Sequence, residues 1–354
     1  MRIVVKIGSN CIVPYDKPDF ERVKKIVDSV ISVMKKDNEV VIVSSGAIAC
    51  GRYYLGWQRT SKIEEKQACA AVGQNILMDM YYRAFSQKHI TPAQILLVES
   101  DFDDREHYIN AKKTIDVLLK KKIVPIINEN DTVSTSEIVF GDNDVLSALI
   151  TDLVDAELLV ILTNVEGLMD EKGNIIREVE NVKDVIHFIN KNKSSSGRGG
   201  MFTKLKAMEI VTFAGKTGII APFAADDVLN RILSKERIGT LFKPKKVQTV
   251  AKKRWLAFGT KCRGRVVIDE GAVKALYQNK SLLAGGVTSV EGAFPSLSVV
   301  EIVSKDGSVI GKGIVSFSST DLNKIKGHKS SEFEKILGRK TPAEIIHKDN
   351  LFLR

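Results

Sequence analysis

Polar side chains are concentrated in residues 127–150, which read INENDTVSTSEIVFGDNDVLSALI. An apolar run ends there at Asn128, a loop of acidic and amide residues follows, and the chain returns through Asn143 and Asp144 into an apolar-periodic stretch. Placing so many carboxylates and amides together costs free energy unless a ligand binds, because like charges repel and polar groups need partners. Helix capping explains one or two of these residues but not the whole cluster. We therefore expect a binding site at this point of the chain.

Two lysines adjoin glycine-rich turns and are suited to contact a phosphate group. Lys6 lies in the first apolar run, two residues before Gly8, so its ammonium group can reach an anion held by that turn. Lys204 follows the segment SSSGRGGMFT, and we expect it in the first turn of a helix, where backbone N–H groups also attract anions. A loop of this composition can close over a nucleotide, although a surface linker has the same composition. The spacing of a Walker A loop is absent. These features predict a phosphate-handling enzyme.

Two more apolar runs end in short turns rich in small or polar residues. The first, VVIVSSGAIACG, contains Ser45, and the second, LTNVEGLMD, contains Thr163 and Asn164. Strands that stop at such turns present backbone N–H groups at one edge of an α/β sheet. We expect both turns to lie near the two lysines.

Strand-like and helical stretches alternate over the first two thirds of the chain. The candidate strands are residues 3–7, 40–44, 93–97, 123–128, 158–163 and 217–221. Between them, apolar residues spaced by three and four predict helices at residues 19–36, 64–87, 104–121, 142–155 and 203–213. Several strands are apolar throughout, as expected when helices cover both faces of a parallel sheet. The order predicts a doubly wound α/β/α sandwich, whose ligands bind at the carboxyl ends of the strands.

The C-terminal part differs in both charge and pattern. The chain has 53 Lys and Arg against 43 Asp and Glu; residues 1–244 carry 33 of each kind, whereas residues 245–354 carry 20 basic against 10 acidic residues. Short strands at 265–268, 298–303 and 309–316, with one helix at 270–279, predict a small, mostly β domain. We place a first domain at 1–243, a second at 254–330, and a tail at 331–354 packed on or near the second. The basic excess suits either nucleic-acid binding or a solubilising surface.

Composition excludes several classes of protein. With 44% apolar and 27% charged residues, the chain is typical of soluble globular proteins, and no apolar stretch approaches the ~20 residues that span a bilayer. The chain begins directly with a strand and not with a leader, so we expect a cytoplasmic protein. The four cysteines have no metal-site spacing, which indicates buried thiols and predicts no protein metal site.

Seven blocks in this order resemble the glutamate 5-kinases of the amino-acid kinase superfamily: VVKIGSN, VSSGAIACGRYYLG, KQACAAVGQ, DFDDREHYINA, VPIINENDTVSTSEIVFGDNDVLSALI, LTNVEGL and GGMFTKLKA. Three C-terminal blocks resemble the PUA domain that bacterial members carry: KRWLAFGTKCRGRVVIDEGAVKAL, LLAGGVTSVEGAF and GHKSSEFEKILG. The resemblance covers nearly the whole chain. It implies an amino-acid kinase fold followed by a small, mostly β PUA barrel.

The resemblance also implies an activity and a set of site residues. The activity is ATP-dependent phosphorylation of the γ-carboxylate of L-glutamate, the first step of proline biosynthesis. By matching positions, Lys6 and Lys204 would contact the phosphates, and Asp144 would orient the two lysines. The glutamate-binding positions would be Ser45, Asp131, Asn143 and Asn128.

The implied ATP-binding positions are Lys6, Gly8, Thr163, Asn164, Gly199, Gly200, Met201 and Lys204. Mg²⁺ would enter with ATP, held by phosphate oxygens and water more than by protein groups. Two positions depart from the family pattern. Asn164 replaces a common aspartate, which removes a charge near the nucleotide, and the glycine loop at residues 197–201 is short.

Other assignments stay open. The fold also suits kinases of aspartate, N-acetylglutamate, carbamate or a nucleoside monophosphate, and the basic C-terminal part suits an RNA-binding protein whose kinase-like part is a scaffold. For a glutamate 5-kinase, the resemblance implies inhibition by proline and assembly as a homodimer or homotetramer. RNA binding by the PUA domain is a further expectation, and no membrane association is expected.

Overall fold

The computed structural model describes residues 1–57, 60, 62–133, 143–188, 198–245, 256 and 261–353. It divides into two compact units, Met1–Gln248 and Thr249–Arg354. The sequence analysis places its domain boundary between residues 243 and 254, and residues 246–255 lie outside the described part of the chain.

The first unit is built on an eight-stranded sheet of order β3-β4-β2-β1-β5-β7-β8-β6. Its strands are β1 (Arg2–Ile7), β2 (Glu39–Ser44), β3 (Pro92–Leu97), β4 (Val124–Glu129), β5 (Leu158–Thr163), β6 (Glu178–Val179), β7 (Thr217–Pro222) and β8 (Thr240–Phe242). The six predicted strands are present and pair in parallel. The two short strands β6 and β8 were not predicted, and β8 runs antiparallel to β7. The carboxyl ends of β1, β2, β4 and β5 therefore meet at one edge of the sheet.

The helices described in this unit are α1 (Ser9–Ile12), α2 (Phe20–Met34), α3 (Ala47–Tyr54), α4 (Ile63–Ser86), α5 (Glu99–Asp103), α6 (Arg105–Lys120), α7 (Asn143–Leu153), α8 (Arg198–Phe213) and α9 (Val228–Leu233). The sequence analysis did not predict helix α3. It treated these residues as part of the turn after β2. One predicted start also differs, because α8 includes Arg198–Gly200, which we expected in a loop. The predicted start at residue 142 lies outside the described residues.

Alternation along β1 decides which way Lys6 points. Ile3, Val5 and Ile7 belong to the apolar core that α2, α3 and α4 cover on one face of the sheet. Since successive strand residues point to opposite faces, Lys6 points to the other face, where α7 packs against β1. The lysine is only 4% exposed. A buried cation in a continuous apolar strand requires a counter-ion on that face.

Two glycines allow α3 and α4 to pack with their backbones almost in contact. A Cβ atom placed on Gly73 would lie 1.8 Å from the carbonyl oxygen of Ala47, and one on Gly51 would lie 1.9 Å from that of Cys69. No side chain fits at either position. This contact holds the start of α3, and with it the turn after β2, against α4.

The second unit contains a five-stranded sheet of order β10-β9-β11-β12-β13. Its elements are β9 (Arg265–Ile268), α10 (Glu270–Tyr277), β10 (Val287–Glu291), β11 (Val299–Ser304), β12 (Val309–Ile314), α11 (Ser319–Ile325), α12 (Phe333–Leu337) and β13 (Leu351–Leu353). Strand β13 pairs with β12, and Ile345, Ile346 and Leu351 are buried in the core of this unit. The end of the chain thus has regular structure that the sequence analysis did not predict.

No helix among the described residues has both the length and the apolar character needed to cross a membrane.

Candidate active site

Lys6 and Lys204 meet at one carboxylate. Nζ of Lys6 lies 2.6 Å from Oδ1 of Asp144, and Nζ of Lys204 lies 2.9 Å from its Oδ2. Asp144 is 0% exposed, and the lysine side chains are 5% and 13% exposed. The three charges form a compact cluster at the carboxyl end of β1.

Three elements bring these residues together. β1 carries Lys6, the first turn of α7 carries Asp144, and α8, which packs on α7, carries Lys204. The hydroxyl of Thr203 also donates a hydrogen bond to Oδ2 of Asp144, at 3.0 Å. An acidic side chain in the first turn of a helix is further favoured by the helix dipole.

The predicted place of Lys204 within its helix is wrong. Within the described residues α8 begins at Arg198, so Lys204 lies beyond the first turn. Its Nζ nevertheless donates to the carbonyl oxygen of Gly200, one turn back, at 3.0 Å. Helical side chains point toward the N-terminus, and the long lysine uses this direction to reach the helix end. Gly199, Gly200 and Met201, predicted in a loop, form the first turn, while residues 194–197 lie outside the described part.

The charge state of Asp144 follows from its neighbours. Burial alone raises the pKa of its carboxyl group, but attraction by Lys6 and Lys204 and their hydrogen bonds outweigh it, so the pKa lies below its ordinary value. The carboxylate is therefore ionised at neutral pH. It lowers the repulsion between the two ammonium groups and is not a group that accepts a proton in this range.

A network of amide groups lies next to this cluster. Nδ2 of Asn143 donates to Oγ of Ser45 at 2.9 Å and to Oδ1 of Asn128 at 3.0 Å. Asn128 is 2% exposed and in turn donates from Nδ2 to Oε1 of Gln74 on α4, at 2.8 Å. The structure thus brings together three of the four predicted glutamate-binding residues in direct contact.

Two carboxylates lie beside the amides. Glu129, at the end of β4, is 4% exposed, and Asp131 follows two residues later. Burial, with a smaller contribution from the charge of Glu129, raises the pKa of Asp131 to about 6. Two acidic groups in a partly desolvated place favour a positively charged ligand group, because a cation offsets their mutual repulsion.

One cavity of about 540 Å³ connects these groups. The predicted residues in its wall are Lys6, Gly8, Ser45, Asp131, Asn143, Thr163, Asn164, Gly200 and Lys204. Among the described residues, Asp144, Asn128 and Met201 do not line it: the first two lie behind the wall and hold the lysines and Asn143, and Met201 follows Gly200 in α8. The cavity wall thus contains two lysines together with amide and carboxylate side chains.

Comparisons with known proteins match both parts of the chain. Residues 1–221 match the model of the amino acid kinase family, and residues 264–337 match that of the PUA domain. A protein named glutamate 5-kinase from Thermoanaerobacter sp. (strain X514) is 41% identical, over 100% of this chain and 98% of its own. A glutamate 5-kinase from Dictyoglomus thermophilum is 42% identical, over 99% of this chain and 97% of its own.

The chain belongs to the glutamate 5-kinase family.

A solved structure supports the fold of the glutamate 5-kinase part. The carbamate kinase from Giardia lamblia bound to AMP-PNP superposes with a TM-score of 0.50 over 69% of this chain and 98% of its own, at 17% identity. At that identity the likeness concerns the fold alone. The predicted amino-acid kinase fold and the C-terminal PUA domain are confirmed.

Several residues at this glutamate 5-kinase site escaped the sequence analysis. Cys11 lines the cavity, and its thiol lies 3.6 Å from Oδ1 of Asn164, the residue that departs from the family pattern. Burial raises the pKa of this thiol to about 11, so it stays protonated. Arg52 and Asp16 also line the cavity and form an ion pair. The sequence signal for these positions was weak, because each is a single polar residue in a short, unpredicted helix or turn.

Proposed function

We propose that this protein transfers the terminal phosphoryl group of ATP to the γ-carboxylate of L-glutamate and forms γ-glutamyl phosphate, the first step of proline biosynthesis. The observation that carries the proposal is one cavity whose wall contains Lys6 and Lys204 together with Asp131 and Asn143. A nucleotide's phosphates suit the lysines, and an amino acid's ammonium group suits the carboxylate and the amide.

The two lysines are proposed to stabilise negative charge on the transferring phosphoryl group. Phosphoryl transfer depends mainly on alignment and on charge stabilisation, and one well-placed donor is worth ~3 kcal/mol of the barrier. Asp144 is proposed to act through the lysines by holding both ammonium groups close together. It does not need to contact the substrate, in keeping with its position behind the cavity wall.

No general base is required for the acceptor. A glutamate carboxyl group has an ordinary pKa near ~4.3, so it is already ionised at neutral pH and can attack the phosphorus directly. The site must instead hold the amino acid in place. We assign this role to Ser45, Asp131 and Asn143, with Asn128 positioning Asn143 from behind.

The nucleotide is proposed to lie along the ends of β1 and β5 and the start of α8. Gly8, Thr163, Asn164, Gly199, Gly200 and Met201 would contact it, and backbone N–H groups at the start of α8 suit its phosphates. Mg²⁺ binds ATP through phosphate oxygens and keeps several waters, so we propose MgATP as the substrate.

The experiment that tests the function measures ADP formation by the purified chain with MgATP and one acceptor at a time. We expect turnover with L-glutamate, and trapping with hydroxylamine should yield the hydroxamate that an acyl phosphate produces. Aspartate, N-acetylglutamate, carbamate and UMP serve as alternative acceptors. Turnover with any of these and none with L-glutamate would overturn the proposal.

Partners implied by the family are tested on the same preparation. Proline is proposed to inhibit by competing in the glutamate part of the cavity, which predicts a higher KM for glutamate and an unchanged kcat. A homodimer or homotetramer is proposed, and light scattering measures its mass. For the basic C-terminal part, RNA binding that survives physiological salt in an electrophoretic assay would support a role of the PUA domain in RNA binding.

A further inference from the structure

We infer that Gln74, outside the cavity wall, is a positioning residue that fixes the orientation of the Asn143 amide, so that Asn143 turns its carbonyl oxygen to the substrate's ammonium group. This inference rests on the proposed function and names how one residue of the amino-acid site is held.

Four amide side chains form a continuous chain of hydrogen bonds. Nδ2 of Asn143 donates to Oδ1 of Asn128, and Nδ2 of Asn128 donates to Oε1 of Gln74. Nε2 of Gln74 then donates to Oε1 of Gln94 on β3, at 2.8 Å. These hydrogen bonds lead from the cavity wall through β4 to α4, and from α4 to β3.

Two backbone groups favour the same direction of these hydrogen bonds as Gln74 does. The N–H of Glu129 can only donate, and it donates to Oδ1 of Asn128 at 2.9 Å. The carbonyl oxygen of Ser44 can only accept, and it lies 3.3 Å from Nδ2 of Asn143. A flipped Asn128 would place an amino group against the N–H of Glu129, and a flipped Asn143 would place two oxygens together. These two contacts favour the observed orientation of both amides, and Oε1 of Gln74 adds the acceptor that Nδ2 of Asn128 needs in that orientation.

The consequence appears at Oδ1 of Asn143. This atom is buried and has no hydrogen-bond partner among the described residues. An unmet buried acceptor costs about 1–3 kcal/mol, so a donor that a ligand brings to this oxygen would stabilise the site. Since Glu129 and Asp131 line the same cavity, that donor is a cation. The α-ammonium group of an amino acid meets both requirements.

Gln74 can be changed without altering the described part of the cavity wall. It is 9% exposed and is not among the described residues of the wall. Without Oε1 of Gln74, the buried Nδ2 of Asn128 loses its acceptor. The unpaired donor raises the free energy of the observed orientation and favours rotation of the Asn128 amide. Rotation would offer Asn143 an amino group instead of an oxygen, and the orientation of the Asn143 amide would be lost.

The test compares three full-length variants with the wild type by calorimetric binding of L-glutamate. Gln74→Leu removes both hydrogen bonds while keeping a similar volume. Gln74→Glu keeps an acceptor for Asn128, and a rotated Gln94 amide can donate to the new carboxylate. Asn75→Leu is the matched control, because Asn75 is the next residue of α4 and is exposed. Within the described part of the chain, its side chain bonds to the backbone of its own helix, at 3.5 Å.

We expect Gln74→Leu to raise the Kd for L-glutamate at least ~10-fold, the equivalent of one lost buried hydrogen-bond partner. The KM for MgATP should stay within about twofold of the wild type, Gln74→Glu should recover most of the affinity, and Asn75→Leu should leave it unchanged. Equal glutamate affinity in wild type and Gln74→Leu would overturn this inference and leave the proposed function standing. An equal loss of affinity for both substrates, or no recovery in Gln74→Glu, would also overturn it. Absence of glutamate binding by the wild type would overturn the proposed function and the inference together.

Discussion

Lys6 on the first strand and Lys204 on the eighth helix are held on the two oxygens of one buried carboxylate, at 2.6 and 2.9 Å. The shared partner is Asp144, which has no exposed surface. Two cations that would otherwise repel each other are thereby kept near one place in the cavity wall. This arrangement suits the handling of a group with several negative oxygens, and it leads to the first two predictions.

Replacing Lys204 by alanine should lower kcat at least ~10²-fold, because it removes a charge contact that is strongest in the transition state. The fold should persist, since the side chain lies in the cavity wall and not in the apolar core. Steady-state kinetics with both substrates measures the effect. Lys206→Ala is the control, because that lysine lies two residues on, at about 200° around the helix axis. Near-normal turnover of Lys204→Ala would refute the role of Lys204.

Replacing Asp144 by asparagine should reduce the free energy of unfolding at neutral pH by about 3 kcal/mol, since it leaves Lys6 buried without its counter-ion. The sign of the pH dependence follows from the lowered pKa of Asp144. Its stabilising contribution is present above the unfolded-state pKa and is lost as pH falls through the lower folded-state pKa. Urea unfolding of both proteins between pH 3 and 8 should therefore show a difference that shrinks only in acid. A constant difference would contradict this account.

The acidic pocket predicts a pH dependence for the amino acid. Because the pKa of Asp131 is raised to about 6, the residue loses its charge below that pH and attracts an ammonium group less. We expect kcat/KM for glutamate to fall as pH drops through this value, since that ratio reports on the free enzyme. Asp131→Asn should remove the inflection and raise the KM for glutamate, with the KM for ATP close to wild type. An effect confined to ATP would show that the two parts of the cavity are reversed.

The raised pKa of Asp131 also predicts that Asp131→Asn makes the protein more stable at neutral pH. A carboxyl group whose folded-state pKa exceeds its unfolded value favours the folded state at low pH, and this advantage is lost as pH rises through the folded-state value. At pH 7 the ionised Asp131 therefore opposes folding, and Asp131→Asn should raise the free energy of unfolding. Denaturant titration at pH 7 and pH 4 measures this, and the gain should be smaller at pH 4. A loss of stability at pH 7 would contradict the prediction.

The contact between α3 and α4 predicts a strict requirement for glycine. A methyl group on Gly73 would overlap the carbonyl oxygen of Ala47, so Gly73→Ala should reduce the free energy of unfolding by ~2 kcal/mol or more. It should also raise the KM for glutamate, because Ser45 lies just before α3. Gly285→Ala is the control, since a Cβ there meets nothing within 4 Å. Equal stability of the two variants would show that the helices separate at little cost.

Fold class could be predicted from the sequence because its signals are local. Continuous apolar runs and three-and-four spacing marked the six long strands and the longer helices, and the structure and family comparisons confirm the α/β fold and the PUA domain. Helix α3 was missed because its packing relies on two glycines and not on an apolar stripe. Strand β13 was missed because three residues carry too little pattern. The roles of the site residues stay predictions.

The sequence by itself determined which residues are charged, which runs are apolar, and that polar residues follow several strands. Only the tertiary structure decided that Lys6 and Lys204 share Asp144, and that Gln74 on α4 reaches Asn143 through Asn128. The physical reason is that both arrangements join distant segments through single, directional contacts. Such contacts depend on how β1, β4, α4, α7 and α8 pack. The residues next to a side chain in the sequence do not determine them.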